Sequence, residues 1–340
     1  MTTSQPPVSP LSLPGNAAIE QQVQAAIAAI GARPALTHVF FVACGGSLAI
    51  MQPNKYVIDR EAQGIRADIY NSNEFIHRNP RGLSENSVVI LCSHSGTTPE
   101  TVEAAAFARS RGALTVSLTH VADSPLAQAS EHVVHYEHGP EILPSDSSSA
   151  LLYRLVFGLL QTREQNPKYA ALLRSLQALP AVIARVKEAH REQSIAWGRD
   201  YKRETLIYTM ASGANYGVAY SFAICLLQEM QWIHSQAIHA GEYFHGPFEI
   251  TDDDVPFILL LGLDETRPLE ERALAFAQKF SQRLLVLDAK TFDLTGFDPE
   301  MSGYLTPLVF SPLLRQYVDR LAEERGHPLS VRRYMWKMDY

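Results

Sequence analysis

The chain has 340 residues, is 46% hydrophobic, and carries a formal charge of -7 with a pI of about 5.9. This length allows one large or two medium domains with buried cores, and the lack of a basic excess argues against nucleic acid or an anionic membrane as the main partner. Three scattered cysteines, no uncharged apolar run long enough to span a bilayer, and no signal-peptide pattern at the N-terminus predict a cytoplasmic protein with reduced thiols.

Strand and helix patterns alternate through the first half of the chain. Residues 1–34 form a Pro- and Ser-rich arm and then a helical segment that ends near Gly31 and Pro34. Amphipathic segments at 52–64 and 99–112 predict helices. Strands are predicted for four apolar runs, at 37–47, 66–75, 87–96 and 113–120. Buried strands separated by helices predict a parallel sheet with helices on each side.

The pattern restarts after a helical linker at 166–200, in which we expect an interruption near Pro180. One constant offset without gaps relates the two halves, and it pairs Gly45 with Gly213, Thr98 with Thr266, and Glu103 with Glu271. Such a repeat indicates two copies of one unit. We therefore predict an α/β protein with two tandem doubly wound, flavodoxin-like units, each a parallel sheet flanked by helices. Their boundaries are set at 35–165 and 201–325, followed by a C-terminal tail at 326–340.

One loop of the first unit combines an apolar strand, several hydroxyls and the start of a helix. A helix N-terminus has unpaired N–H groups and a positive dipole end, so it favours an anion. The hydroxyls of Ser93, Ser95 and Thr98 can donate to phosphate oxygens, and Gly96 lets the backbone approach closely. The turn that contains Ser47 follows the preceding strand and is expected to meet the same crevice.

The alternative is that this loop only starts a helix, with Thr98 as its cap and Pro99 at its first position. The second copy distinguishes the two interpretations, because it has Leu261 and Leu263 where the first has serines at 93 and 95. The same turn can therefore be made without serines. This difference favours an anion site in the first unit.

The segment 228–250 holds several acidic and imidazole side chains in apolar surroundings. Glu229 follows a long apolar helix, and a carboxylate in that setting can act as a base and then as an acid. His245 precedes a Gly-Pro pair, which predicts a loop where an imidazole can reach a ligand. The other Glu and His residues can equally cap or pair. His234 and His239 are five residues apart, which is not a tight ligand pair, so no metal site is predicted.

These motifs resemble the sugar isomerase (SIS) family. The resemblance rests on the doubled unit, on "SHSGTTPET" in one copy, and on "EMQWIHSQAIHAGEYFHGPFEI" in the other, and it covers the chain from about Thr37 onward. The finer match is to bacterial deglycases that act on phosphorylated Amadori products. It is carried by "YNSNEFI", "EMQWIHS", "GEYFHGPFEITD", "RRYMWK" and the terminal "DY".

The resemblance implies roles for particular residues. Glu229 would transfer the proton, and His245 would assist ring opening, in its own or the partner subunit's site. The sugar phosphate would be bound by Ser47, Ser93, His94, Ser95 and Thr98. The tail would lie near the active site, with Arg333 or Lys337 nearest to the ligand. Further possible substrate contacts are Gly46, Ser147 and Ser148.

The resemblance also implies a reaction. A 6-phosphofructosyl amino acid, for example 6-phosphofructose-aspartate, would be cleaved to glucose 6-phosphate and the free amino acid by C1 proton abstraction and imine hydrolysis. No cofactor is expected, and the family implies a homodimer with shared active sites. One alternative is a phosphosugar aldose–ketose or amino-sugar-phosphate isomerase or deaminase. An alternative of another class is a sugar-phosphate sensor without catalysis.

Overall fold

The first unit is built on a five-stranded parallel sheet. A computed structural model describes residues 15–139 and 141–338, so most of the predicted N-terminal arm and the final two residues lie outside it. The strands are β1 (His38–Ala43), β2 (Arg66–Asn71), β3 (Ser87–Cys92), β4 (Leu114–Thr119) and β5 (His132–His135), in the order β2-β1-β3-β4-β5. Four were predicted, and β5 was not.

The order of the strands reverses at β1, which pairs with both β2 and β3. Ala43 at its end lies opposite Asn71 and Cys92, so all three strands end at one level. Ligands of open α/β sheets bind at such a reversal, beyond the carboxyl ends of the strands. The helices of this unit are α1 (Ala17–Ala32), α2 (Gly45–Ala49), α3 (Gln52–Glu61), α4 (Ser72–Arg78), α5 (Pro99–Ser110), α6 (Pro125–Ala129) and α7 (Ser148–Glu164).

The second unit repeats this arrangement, as the constant offset predicted. Its parallel sheet has the order β7-β6-β8-β9 and consists of β6 (Leu206–Ala211), β7 (His234–His239), β8 (Phe257–Leu261) and β9 (Leu284–Asp288). The offset that joins Gly45 to Gly213 carries the bounds of β1 onto those of β6, and the bounds of β2 onto those of β7. The predicted α/β class and the doubled parallel sheet are confirmed.

The long apolar helix predicted after β6 has two kinds of winding. It begins as the α-helix α10 (Tyr216–Ser221) and continues as a π-helix over Phe222–Met230. A π-helix of nine residues is rare, and π winding is frequent at functional sites. The sequence did not predict it. The unit also contains α11 (Arg267–Phe280) and α12 (Ser302–Arg325).

Two helices, α8 (Lys168–Ala189) and α9 (Arg191–Tyr201), join the units. The predicted interruption at Pro180 is wrong, because α8 runs through this residue. The helix buries Leu176, Leu179 and Val182 on either side of the proline. Each such burial contributes about 1.5–3 kcal/mol, which together exceeds the cost of about 3 kcal/mol for a proline inside a helix.

A single apolar core connects the two units. It includes Val39 and Ile90 of the first sheet, Ile207 and Ile258 of the second, and the buried faces of α7 and α12. Two smaller clusters cover the other faces of the sheets. The inner faces of both units are therefore buried together, and each unit depends on its neighbour for a core.

Candidate functional site

The two loops predicted to converge follow the adjacent ends of β1 and β3. Both need glycine. Gly45 has φ +54°, and Gly96 has φ +66°, a region that other residues seldom adopt. A Cβ on Gly96 would lie 2.1 Å from Oγ of Ser124. No larger residue fits at this position without moving the loop, so the loop following β3 has a closely defined shape.

Hydroxyl groups of this loop bond to one another. The Ser93 and Thr98 hydroxyls are 2.9 Å apart, and those of Ser95 and Thr97 are 2.7 Å apart. Thr98 precedes α5, and Pro99 takes its first position as predicted, but the Thr98 side chain makes no cap hydrogen bond. The alternative interpretation, in which this hydroxyl caps the helix, is therefore wrong, because the group is bonded to Ser93 instead. Either hydroxyl of each pair can donate, so rotation of the O–H bond can turn a donor toward an anion.

Ser47 and His94 lie at the same edge. Burial raises the pKa of the Cys92 thiol to about 12, and a hydrogen bond with Ser47 opposes the shift. The His94 ring bonds Tyr136 through Nδ1 at 2.9 Å and stacks on His120 at 5.2 Å. Burial, together with the neighbouring imidazoles, lowers the pKa of His94. The His94 ring is thus held by Tyr136 and His120.

The equivalent crevice of the second unit is filled by the protein's own carboxylates. Glu270 is fully buried and accepts hydrogen bonds from the backbone N–H groups of Ser212 (3.0 Å) and Gly262 (2.6 Å). Asp264 accepts from the N–H groups of Ala214 (3.2 Å) and Thr266 (2.8 Å). Four N–H groups at the ends of β6 and β8 thus bind internal anions.

The first unit supplies no such carboxylate. The constant offset places Val102 at the position of Glu270, Gly96 at that of Asp264, and His94 at that of Gly262. Within the described ranges, the N–H of His94 has no hydrogen-bond acceptor. We call the backbone N–H groups after β1 and β3, together with the neighbouring hydroxyls of Ser47, Ser93 and Ser95, the anion cradle. Because it has no carboxylate at either equivalent position, the cradle is suited to an anion supplied by a ligand.

Glu229 lies in the last turn of the π-helix, beside a cavity of about 720 Å³. The cavity is also lined by the tail residues 332–335. Arg332 is buried and forms an ion pair with Glu229, with Nη2 at 2.7 Å and Nε at 2.9 Å from Oε1. The tail thus lines the cavity beside Glu229, and Arg332, which was not among the predicted residues, contacts the carboxylate.

The two predicted tail candidates lie close by. Lys337 donates through Nζ to the backbone carbonyl of Arg332, so it supports the tail. The guanidinium of Arg333 stacks over the Trp232 ring at 4.0 Å and lines the cavity. The "VRRYMWK" motif signalled the region, but not which of its cations would pair with Glu229.

A contact between the two units joins the loops to Glu229. A Cβ on Gly46 would lie 3.4 Å from Sγ of Cys225, which is on the π-helix four residues before Glu229. Burial raises the pKa of Cys225 to about 11, and the nearby charge of Glu229 adds to this shift. The turn after β1 in the first unit therefore adjoins the π-helix that carries Glu229.

His245 is not brought to Glu229 within one chain. Tyr243, Phe244 and Phe248, around His245, pack on one face of the second sheet, whereas the π-helix packs on the other. His245 itself is exposed. The sheet lies between the two segments, so a shared site needs His245 of a second copy.

Ser147 and Ser148 lie at the N-terminus of α7. The Ser147 hydroxyl donates to the Pro144 carbonyl (2.7 Å) and accepts from the N–H of Ala150 (3.4 Å), so it caps the helix. Ser148 is the first residue of the helix. A substrate contact by either serine stays a prediction.

Within residues 15–139 and 141–338, no group of three or more His, Cys, Asp or Glu side chains is arranged to hold a metal ion. None of the helices there combines the length and apolar character needed to cross a bilayer.

Comparison with known proteins finds a matching family model and relatives named as deglycases. A family model described as the SIS domain matches residues 35–178. The chain is similar to the fructosamine deglycase FrlB of Bacillus subtilis (strain 168), with 56% identity over 324 residues, 95% of this chain and 98% of that protein. It is 29% identical over 298 residues to a fructoselysine 6-phosphate deglycase of Escherichia coli (strain K12), covering 86% of this chain and 85% of that protein.

Solved structures agree in fold. A Bacillus subtilis protein, described as a proposed phosphosugar isomerase, superposes with a TM-score of 0.93 at 56% identity, covering 94% of this chain and 97% of that one. A similarly described Salmonella typhimurium protein gives a TM-score of 0.92 at 36% identity, covering 98% of this chain and 100% of that one.

Proposed function

Because this chain belongs to the SIS domain family, we propose that it is a deglycase that cleaves 6-phosphofructosyl amino acids to glucose 6-phosphate and the free amino acid. The names of its relatives support the substrate class, a phosphorylated fructosamine. The observation that carries the proposal is the contact of Gly46 with Cys225, because it joins an anion cradle to the helix that bears Glu229. A phosphosugar bound by its C6 phosphate would then present its other end to that carboxylate.

The proposed chemistry needs one base and one assisting imidazole. After ring opening, Glu229 removes a proton from C1, the electron pair forms the C1–C2 double bond, and the C2 carbonyl oxygen takes a proton from the assisting imidazole to give an enaminol. The same carboxyl then returns the proton to C2 while the nitrogen lone pair forms the C1–N double bond of a protonated imine. Water adds to C1, the C–N bond breaks, and glucose 6-phosphate and the amine separate. Proton transfer by a positioned carboxylate contributes about 10²–10⁴-fold to the rate.

The remaining residues have supporting roles in this proposal. Arg332 holds one oxygen of Glu229, which leaves the other oxygen to face C1. The cradle converts the binding energy of the phosphate into orientation of C1 and C2. His245 would act at the sugar ring from a partner subunit, which is why we propose a homodimer with shared sites.

An aldose–ketose isomerase would use the same proton transfer, so substrates must separate the two activities. We expect glucose 6-phosphate to form from 6-phosphofructosyl amino acids, measured by coupled dehydrogenase assay. Fructose 6-phosphate and glucosamine 6-phosphate, offered in parallel, should be poor substrates. Turnover confined to fructose 6-phosphate would contradict the deglycase, and tight binding without any product would indicate a sensor.

The double substitution Ser93→Ala with Ser95→Ala should mainly weaken binding of the phosphorylated substrate. Two hydroxyl donors to a phosphate are lost, and at about 1.5 kcal/mol each the KM should rise by about 100-fold. The kcat should change far less, because the groups act away from C1. Ser110→Ala, which removes an exposed hydroxyl at the end of α5, is the control. An unchanged KM in the double variant would argue against the cradle.

A further inference from the structure

The cavity beside Glu229 contains a cation without a counter-charge. Arg332 is paired with Glu229. Arg333 also lines the cavity, and within the described part of the chain it makes no ion pair and no hydrogen bond. The Arg333 side chain is exposed, and its guanidinium lies 4.0 Å from the centroid of the Trp232 ring, a cation–π contact that favours this orientation. The side chain is therefore oriented, with its donors left for a ligand.

The backbone of Trp232 provides an independent sign of function. Trp232 has φ +57°, at the helix end where glycine is the usual residue. The chain reverses there through hydrogen bonds from the N–H groups of Trp232 and Ile233 to the carbonyls of Gln228 and Leu227. A bulky residue in this conformation is an outlier, and such strain concentrates at binding and catalytic sites. The residue with the strained backbone is thus the one whose ring supports Arg333.

The proposed substrate has a fixed feature near the reacting carbon. In every fructosyl amino acid formed through the α-amino group, the α-carboxylate is three bonds from C1, by way of the nitrogen and Cα, so it lies within roughly 4 Å of C1. A group that binds it must line the same cavity as the base. Arg333 meets this condition, and a guanidinium matches a carboxylate with two parallel hydrogen bonds.

We propose that Arg333, held on Trp232, binds the α-carboxylate of the amino acid half of the substrate. The inference rests on the proposed deglycase function and adds the recognised group. It implies that the enzyme selects amino acids over simple amines, whatever the amino acid side chain. Arg332 then positions the base, and Arg333 recognises the amino acid that is released.

A pair of substrates that differ only in the carboxylate provides the test. We expect wild-type kcat/KM to be about 10- to 100-fold higher for 6-phosphofructosyl-glycine than for 6-phosphofructosyl-methylamine. In Arg333→Gln the ratio should fall to about 1 while kcat/KM for the methylamine compound is kept. A merely structural role of Arg333 would lower both values alike. Arg333→Lys should retain part of the ratio.

Two further variants complete the test. Trp232→Gly relieves the backbone strain but also removes a side chain that is 36% exposed, so a moderate loss of stability is expected, and the ratio should fall because Arg333 loses its support. Thermal unfolding identifies the folded fraction on which the ratio is measured. Arg111→Gln, which removes an exposed arginine stacked on the Phe107 ring at the end of α5, should keep the ratio, and loss of the ratio in this control would overturn the proposal. Equal turnover of the two compounds by wild type would also overturn it while leaving the deglycase function intact. If wild type releases glucose 6-phosphate from neither compound, the deglycase function itself fails.

Discussion

Glu229→Gln is expected to lower turnover by about 1,000-fold or more while leaving binding of the phosphosugar nearly unchanged. The substitution keeps the shape of the side chain and one oxygen that can accept from Arg332, but it removes the group that takes the C1 proton. Loss of a general base costs about 10²–10⁴-fold. Glucose 6-phosphate release under saturating substrate measures kcat, and titration calorimetry with a substrate or an inert analogue measures affinity.

The matched control is Glu249→Gln, which neutralises an exposed carboxylate of the same segment and should keep the wild-type rate. A native rate in Glu229→Gln would show that another group carries the proton. A fall in both kcat and thermal stability would instead show that the pair with Arg332 holds the tail in place.

Glu270→Ala is expected to destabilise the protein by about 3 kcal/mol. The substitution leaves two buried N–H groups, of Ser212 and Gly262, without their acceptor, whereas the Ser212 hydroxyl keeps Thr266 as a partner. Each lost acceptor costs about 1–3 kcal/mol. The free energy of unfolding by urea at pH 8, where Glu270 is charged, measures the effect. Val102→Ala, at the equivalent position of the first unit, should cost about 1 kcal/mol. Equal losses in the two variants would contradict an internal anion at Glu270.

The charge of Glu270 gives a separate expectation for pH. Burial raises its pKa to about 7, despite the hydrogen bonds that lower it. The folded state then binds more protons than the unfolded state between about pH 4.5 and 7, so stability from this group is present at acidic pH and is lost as pH rises through 7. Relative to Glu270→Gln, the wild type should lose up to about 3 kcal/mol between pH 5 and 8. A constant difference would show that the donated hydrogen bonds outweigh burial.

The fold was largely predictable because its signals are local and repeated. Buried parallel strands appear as apolar runs, and the constant offset tied the two halves together. β5 (His132–His135) was missed because histidines at both ends mask a short strand at the sheet edge. The π winding after Phe222 could not be predicted, because no local pattern distinguishes it from an α-helix.

The candidate site was only partly predictable, for reasons of distance along the chain. The serine loop was visible because two copies could be compared. The pair of Glu229 with Arg332 joins residues far apart in sequence, and two adjacent arginines look alike until the backbone turns them to different partners. The position of His245 across the sheet from Glu229 follows from the topology, which no spacing in the sequence reveals.

The contact of Gly46 with Cys225 has a consequence for substrate size. On the proposed function, one unit holds the phosphate and the other acts on C1. The packing between the units therefore sets the length of sugar that can reach both. A Cβ at residue 46 would lie 3.4 Å from the Cys225 thiol, an ordinary van der Waals distance, so the two units are already in close contact at this point. On the proposed function, we expect a five-carbon phosphosugar to bind through its phosphate but to turn over more slowly than a six-carbon one.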